Sequence, residues 1–124
     1  MKDNTIIKKG DIFYVYLGKT RNGHIQSGGS TGIRPCLIVN NNVACVFSPV
    51  LLVVPISSSY ANRVRNLPTH LPLNMLKKHS VALFEQVMTI NRSQLLNKIA
   101  TLPDNLMQSA DEMLKITFGI PRYA

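Results

Sequence analysis

Short apolar, β-branched and aromatic runs, separated by polar or glycine-rich stretches, dominate the first hundred residues. Runs of this kind predict β-strands. We place strands at residues 12–17, 36–39, 50–56, 71–73, 81–84 and 87–90, with Ile99 near the end of the sheet. Asn40, Asn41 and Asn42 indicate a turn. The polar stretches at 18–33 and 57–66 are predicted to be loops.

The last quarter of the chain changes period. Apolar side chains recur there at steps of three and four residues, as in an amphipathic helix; they are Leu106, Ala110, Met113, Leu114 and Phe118. Start signals are Thr101, Pro103 and Asp104, and stop signals are Gly119 and Pro121. We therefore predict a mainly β fold with helices (α+β): a small antiparallel barrel-like sheet closed on one side by this helix, whose apolar stripe belongs to the core.

The length of 124 residues fits one domain, 1–124, whose core is large enough to be stable without disulfides or structural metal ions. No apolar run approaches the ~20 residues that a membrane-spanning helix requires, so no membrane partner is expected. Because residues 1–5 lack the apolar core of a signal peptide, we expect a cytoplasmic protein with reduced thiols.

Charge adds a partner class. Lys and Arg number 14 against 6 Asp and Glu, and the excess falls entirely within the first hundred residues. A cationic body of this kind favours a polyanionic partner, nucleic acid first. The alternative is an ordinary basic protein that surface lysines keep soluble.

The scarcity of acids excludes several chemistries. Glu85 is the only carboxylate between Asp11 and Asp104, so neither a two-metal nuclease site nor a glycosidase pair is easily assembled. Cys36 and Cys45 do not form a zinc motif. We expect two buried free thiols, a disulfide being the less favoured alternative, and neither a metal nor another cofactor.

Arg34 is the first candidate for chemistry. It ends a glycine-rich stretch, and Pro35 pushes it towards extended geometry, which places a guanidinium at the mouth of a loop. Its planar fork of donors suits a phosphate, although a surface salt bridge is the plainer alternative. Ser57 follows the apolar strand 50–56 and could donate to a phosphoryl oxygen, although Ser58 beside it also fits a simple turn.

Other polar residues of the middle segment are weaker candidates. His70 could shuttle protons near neutral pH but is more often structural. Glu85 could orient Arg34 or hold a loop, and Gln86 could bond a base edge. Arg63 and Arg65 add charge to the second polar loop.

Taken together, these segments resemble the MazF/PemK family of toxin ribonucleases from toxin–antitoxin modules. The matching stretches begin with Lys9 to Ile12, Gly32 to Val39, Phe47 to Pro49 and Pro55 to Ser57, and continue with Leu67 to His70 and Ser80 to Ile90. Each stretch is weakly specific by itself, and their order and spacing over residues 6–120 carry the resemblance.

The resemblance implies an SH3-like barrel that forms a homodimer and cuts single-stranded RNA at short motifs without a metal. The 2′-hydroxyl of the RNA would be the nucleophile, leaving a 2′,3′-cyclic phosphate and a 5′-hydroxyl. Arg34 and Ser57 fall on the family's essential arginine and threonine, and an antitoxin with an acidic C-terminal segment would block the RNA groove. The further RNA-binding candidates are Gly32, Ser58, Arg63, Arg65, Thr69, His70, Glu85 and Gln86.

Two departures leave alternatives open. The stretch before Arg34 lacks the Glu-Gln pair that many members carry, and Ser57 stands where they have threonine. A gyrase-inhibiting module on the same barrel is one alternative, although the tail that ends at Tyr123 and Ala124 matches those toxins poorly. A basic RNA-binding barrel that has lost catalysis is the other.

Overall fold

The computed structural model describes residues 6–18, 31–58 and 67–121. It contains seven strands and two α-helices in this part of the chain. The strands are β1 (Asp11–Tyr16), β2 (Ile33–Ile38), β3 (Val50–Ser57), β4 (His70–Leu73), β5 (Ser80–Leu83), β6 (Met88–Asn91) and β7 (Leu95–Thr101). The helices are α1 (Asn42–Phe47) and α2 (Asp104–Phe118).

All strand pairs are antiparallel, in the order β4-β5-β3-β2-β1-β7, and β6 pairs with β3 beside β5. The predicted antiparallel sheet with a C-terminal helix is confirmed. Over the described residues no ladder joins β4 to β7, so the sheet is open and the word barrel is wrong in the strict sense.

Alternation along the strands divides the core into two layers. Phe13, Cys36 and Val53 face one layer, while the neighbouring Ile12 and Leu37 face the other. Strands buried on both faces read as continuous apolar runs, and this explains why their hydrophobic pattern is easy to recognise.

Helix α2 covers the second layer, as its periodicity predicted. Pro103 precedes it, and Gly119 ends it in a left-handed conformation with φ 66°. The Nζ atom of Lys9 bonds to Asp111 at 2.7 Å and ties the helix to the beginning of β1. The prediction that Phe118 belongs to the core stripe is wrong, because this residue is 59% exposed.

Helix α1 was not predicted, and its first residues were expected to form a turn. The side chain of Asn41 accepts a hydrogen bond from the Ala44 N–H and caps the helix. At the other end the Arg92 guanidinium donates to the carbonyls of Cys45 and Ser48. Six residues are too few for a helical period, so the hydrophobic pattern did not predict this helix.

Other predictions have mixed outcomes. Both Cys36 and Cys45 are free and buried, as expected. Ile99 lies in β7, the last strand along the chain, as expected, and that strand begins at Leu95. Most of the two predicted polar loops lies outside the described residues, and no helix within the described part is long and apolar enough to cross a membrane.

Candidate active site

Arg34 is the second residue of β2 and lies opposite Val15 on β1. Gly32, just before the strand, has φ +78°, and a Cβ there would come within 2.7 Å of the Tyr16 ring. A glycine is therefore required by both the backbone and the close approach of the ring. Pro35 follows in the strand, so the Gly-Ile-Arg-Pro sequence holds Arg34 on the sheet rather than in the loop where it was predicted.

Ser57 is the last residue of β3, the strand next to β2. The ladder between them pairs Cys36 with Pro55. The ladder ends there, and Arg34 and Ser57 each lie two residues beyond its last pair. Side chains two residues apart share a face of the sheet, so Arg34 and Ser57 leave it on the same side, at the end of both strands.

The charge of Arg34 acts on this face. Burial raises the pKa of the Cys36 thiol to about 12, and the positive charge of Arg34 opposes that rise. The thiol is two residues along β2 and fully buried. Cys36 is therefore an unreactive core residue, while the guanidinium lies close enough for its charge to matter there.

The two serines at the end of β3 differ in exposure. Ser57 is 1% exposed and pairs with Val81 on β5. Ser58 is exposed and borders a groove on the surface. The sequence could not separate them, because the difference depends on which face of the strand each one takes.

Pro55 explains an irregularity beside this site. The carbonyl of Leu52 accepts a hydrogen bond from the Val39 N–H, so the backbone polar groups of Leu52 point towards β2. These groups alternate in direction along a strand, so those of Pro55 point the other way, towards β5 and β6. Proline has no N–H to donate on that side. There the opposing chain leaves β5 and forms a 3-10 turn, Phe84–Gln86, before it pairs again as β6.

This turn carries Glu85, which belongs to a closed polar network. Its carboxylate accepts from the Thr69 hydroxyl at 2.8 Å and lies 3.0 Å from Nε2 of His70. Nδ1 of His70 accepts from the Leu67 N–H at 3.3 Å. Because Nδ1 accepts, Nε2 carries the ring proton and donates to Glu85.

Burial raises the pKa of the Glu85 carboxyl, but hydrogen bonds from Thr69, from its own backbone amide and from His70 outweigh burial and hold it below the usual value. The histidine side chain is only 4% exposed. Both of its ring nitrogens are therefore engaged within the fold, and the alternative that Glu85 holds a loop is the one that the structure supports.

Gln86 is the next residue of the turn. Its Oε1 atom is buried and has no hydrogen-bond partner among residues 6–18, 31–58 and 67–121. Unpaired buried acceptors are uncommon in native structures. Such an atom could accept a hydrogen bond from an N–H group of a ligand.

A surface groove of about 660 Å³ adjoins Arg34. Its lining includes residues that were not among the predicted site residues. These are the lysines Lys77, Lys78 and Lys98, the aromatic Tyr14 and the amide Asn97. The signal for Tyr14 was present, because it alternates with the buried Phe13 and Val15. The lysines come from separate segments and only the fold brings them together.

Arg63 and Arg65 lie outside the described residues. No group of three His, Cys, Asp or Glu that could hold a metal ion occurs within the described part.

Known proteins share this sequence pattern. Residues 8–118 match the model of the PemK-like, MazF-like toxins of type II toxin–antitoxin systems. The chain is also 30% identical over 119 residues to endoribonuclease EndoA of Bacillus subtilis, covering 93% of this chain and 97% of EndoA. This chain belongs to the MazF/PemK toxin family.

Solved structures agree on the fold. MazF from Deinococcus radiodurans superposes with a TM-score of 0.74 at 18% identity, over 94% of this chain and 100% of that one. Toxin MazF-mt6 of Mycobacterium tuberculosis gives 0.71 at 22% identity, over 90% and 99%. A mycobacterial endoribonuclease solved with its cognate antitoxin gives 0.72 at 17% identity, over 94% and 99%.

Proposed function

We propose that this MazF-like toxin is a sequence-specific endoribonuclease that cleaves single-stranded RNA without a metal, with Arg34 and Ser57 as its catalytic residues. The observation that supports the proposal is the pairing of β2 with β3: the ladder joins Cys36 to Pro55, and Arg34 and Ser57 each lie two residues beyond that pair, where the strands end. The 30% identity to an enzyme named endoribonuclease EndoA supports the activity.

In the proposed reaction the 2′-hydroxyl oxygen of the RNA bonds to the neighbouring phosphorus, and the bond from phosphorus to the 5′-oxygen breaks. The 2′-hydroxyl loses its proton, and the leaving 5′-oxygen gains one. The products are a 2′,3′-cyclic phosphate and a 5′-hydroxyl. Because the substrate supplies its own nucleophile, the protein must mainly align the phosphate and stabilise the added negative charge.

Arg34 suits that task because its charge is permanent and its donors form a planar fork. We assign it to the phosphorane oxygens rather than to proton transfer, since the pKa of arginine exceeds about 12. The hydroxyl of Ser57 is assigned as a second donor to the same phosphate.

Further residues are proposed to bind RNA. Gln86 is the one with a structural reason, because its buried Oε1 has no partner in the described part of the chain and could accept from the N–H of a base edge. The remaining proposed RNA-binding residues are Gly32, Ser58, Arg63, Arg65, Thr69, His70 and Glu85. The side chains of Thr69 and His70 both bond to Glu85, so we propose that these three mainly position the turn that presents Gln86.

The partners follow from the family. We propose that a cognate antitoxin with an acidic C-terminal segment neutralises the toxin, that the toxin is a homodimer, and that it acts in the cytoplasm. Structures of a mycobacterial endoribonuclease and of Deinococcus MazF with their antitoxins support the first of these. Light scattering of the purified toxin tests the second.

The function is tested with an end-labelled single-stranded RNA in the presence of EDTA. We expect cleavage at a short motif, with 2′,3′-cyclic phosphate and 5′-hydroxyl ends. Replacing the nucleotide before the cleaved bond by its 2′-deoxy form should abolish the cut. A requirement for magnesium, or products with 5′-phosphate ends, would contradict the mechanism. Gyrase inhibition without RNA cleavage would instead support the non-catalytic alternative.

A further inference from the structure

The groove beside Arg34 has a composition that the cleavage reaction does not explain. It has a volume of about 660 Å³ and lies between the sheet and the segment before β5. Ile56 and Ser58 border it, whereas Ser57 between them does not. The groove therefore extends along the opposite side of β3 from the Ser57 side chain, and Arg34 borders both that groove and the Arg34–Ser57 face.

Its charge is positive throughout. Lys77, Lys78 and Lys98 line it together with Arg34, and no carboxylate is among the lining residues. Lys98 lies 3.2 Å from the buried Asp11 but keeps 43% of its side chain exposed. Neither Lys77 nor Lys78 forms an ion pair with any other residue in the described ranges. A surface of this kind attracts a polyanion.

An aromatic ring and an amide in the groove favour a nucleic acid over other polyanions as its ligand. Tyr14 is 44% exposed in the groove, on the face of β1 opposite to the buried Phe13 and Val15. Exposed aromatic rings between cationic side chains are typical of surfaces on which single-stranded bases stack. Asn97, also in the lining, can bond the edge of a base.

Arg34 connects the groove to the proposed catalytic pair. Its Cβ leaves the sheet on the side of Cys36 and Ser57, yet the residue also borders the groove. This is possible because β2 begins and β3 ends here, so a strand of RNA can pass over the end of the sheet from one face to the other.

We propose that the groove is a subsite for nucleotides that flank the cleaved bond, where Tyr14 stacks a base and Lys77, Lys78 and Lys98 hold phosphates. This proposal rests on the proposed function, since it assumes that RNA binds at Arg34. It adds that part of the substrate affinity, and its dependence on RNA length, arises on the opposite face of the sheet from Ser57.

The test compares two double variants that remove the same charge. In Lys77→Gln/Lys78→Gln the groove loses two cations, and in Lys8→Gln/Lys115→Gln two cations are removed elsewhere. For an RNA of about twenty nucleotides the groove variant should raise KM about tenfold and weaken the salt dependence by about 0.7 in logarithmic slope for each phosphate that is no longer bound. The effect should fall on KM rather than kcat, and it should shrink for an RNA of only a few nucleotides.

A second variant, Tyr14→Leu, keeps an apolar side chain but removes the ring. It should weaken binding of long RNA without changing the salt dependence, because stacking involves no counterion release. Equal effects of the two lysine pairs, or equal weakening on short and long RNA, would overturn the proposal.

Binding of an uncleavable 2′-O-methyl RNA, measured by fluorescence anisotropy, separates this proposal from the catalytic one. If wild type fails to cleave RNA but the groove variants still weaken binding of this probe, the proposed function fails, while RNA binding in the groove is confirmed. If the variants weaken binding of a polyglutamate peptide and leave the RNA probe unaffected, the groove is an acidic-peptide site and the proposal is wrong.

Discussion

The Arg34–Ser57 pair and the Thr69–His70–Glu85 network use polar side chains in different ways. In the network each named side chain bonds to another, with distances of 2.8 and 3.0 Å. Arg34 and Ser57 each lie two residues beyond the last pair of the β2–β3 ladder, where those strands end. His70 and Glu85 were separate candidates in the sequence, and in the structure they bond to each other and hold the turn that carries Glu85.

The largest effect is expected from removing Arg34. Arg34→Ala should lower kcat by about a thousandfold, because removing one donor to a developing oxyanion costs 10²- to 10³-fold and a charge disappears as well. Arg34→Lys should restore only part of the rate, since an ammonium cannot supply the planar fork. Cleavage of labelled RNA in EDTA measures both. Retention of activity in Arg34→Ala would rule out its central role.

Ser57 and Ser58 provide a matched pair for the second donor. Ser57→Ala should lower kcat about a hundredfold, whereas Ser57→Thr should retain the activity because it keeps the hydroxyl. Ser58→Ala should raise KM rather than lower kcat, and its effect should be smaller than that of Ser57→Ala. Steady-state kinetics on the same RNA checks the order. A larger drop of kcat in Ser58→Ala than in Ser57→Ala would transfer the catalytic role to the exposed serine.

Gly32 tests whether the backbone positions Arg34. Gly32→Ala should destabilise the fold by about 2 kcal/mol, because it forces a side chain into a left-handed conformation and against the Tyr16 ring. Urea unfolding measures the free energy. In Gly32→Ala/Tyr16→Ala the steric part is removed, so part of the stability should return. No recovery would mean that the backbone conformation alone is responsible.

The network predicts the smallest effect, on stability against pH. The pKa of Glu85 is lower in the folded chain than in the unfolded chain. Its stabilisation is therefore complete above the unfolded pKa and is lost as the pH falls through the folded value. Glu85→Gln should cost about 1 kcal/mol at neutral pH and flatten the acid limb of the curve.

Urea midpoints across the acid range measure this limb, and Glu112→Gln on the exposed face of α2 is the control. If Glu85→Gln leaves stability unchanged but weakens RNA binding, the network belongs to the RNA site and the comparison fails.

The candidate site was partly accessible from sequence. The Gly-Ile-Arg-Pro stretch identified Arg34 as a candidate, because the glycine before it and the proline after it restrict the backbone locally. The partners of Glu85 were not accessible, since Thr69 and His70 reach it only because β4 pairs with β5. Helix α1 escaped prediction for a similar reason, as Arg92 closes it from 44 residues away.

The sequence by itself determined the strands, the closing helix and the cationic character, because these depend on local periodicity and composition. Tertiary structure alone decided which face each polar residue takes. It also brought Lys77, Lys78 and Lys98 beside Tyr14. Side chains alternate with period two along a strand, so their neighbours depend on register, and pairing between distant segments fixes the register.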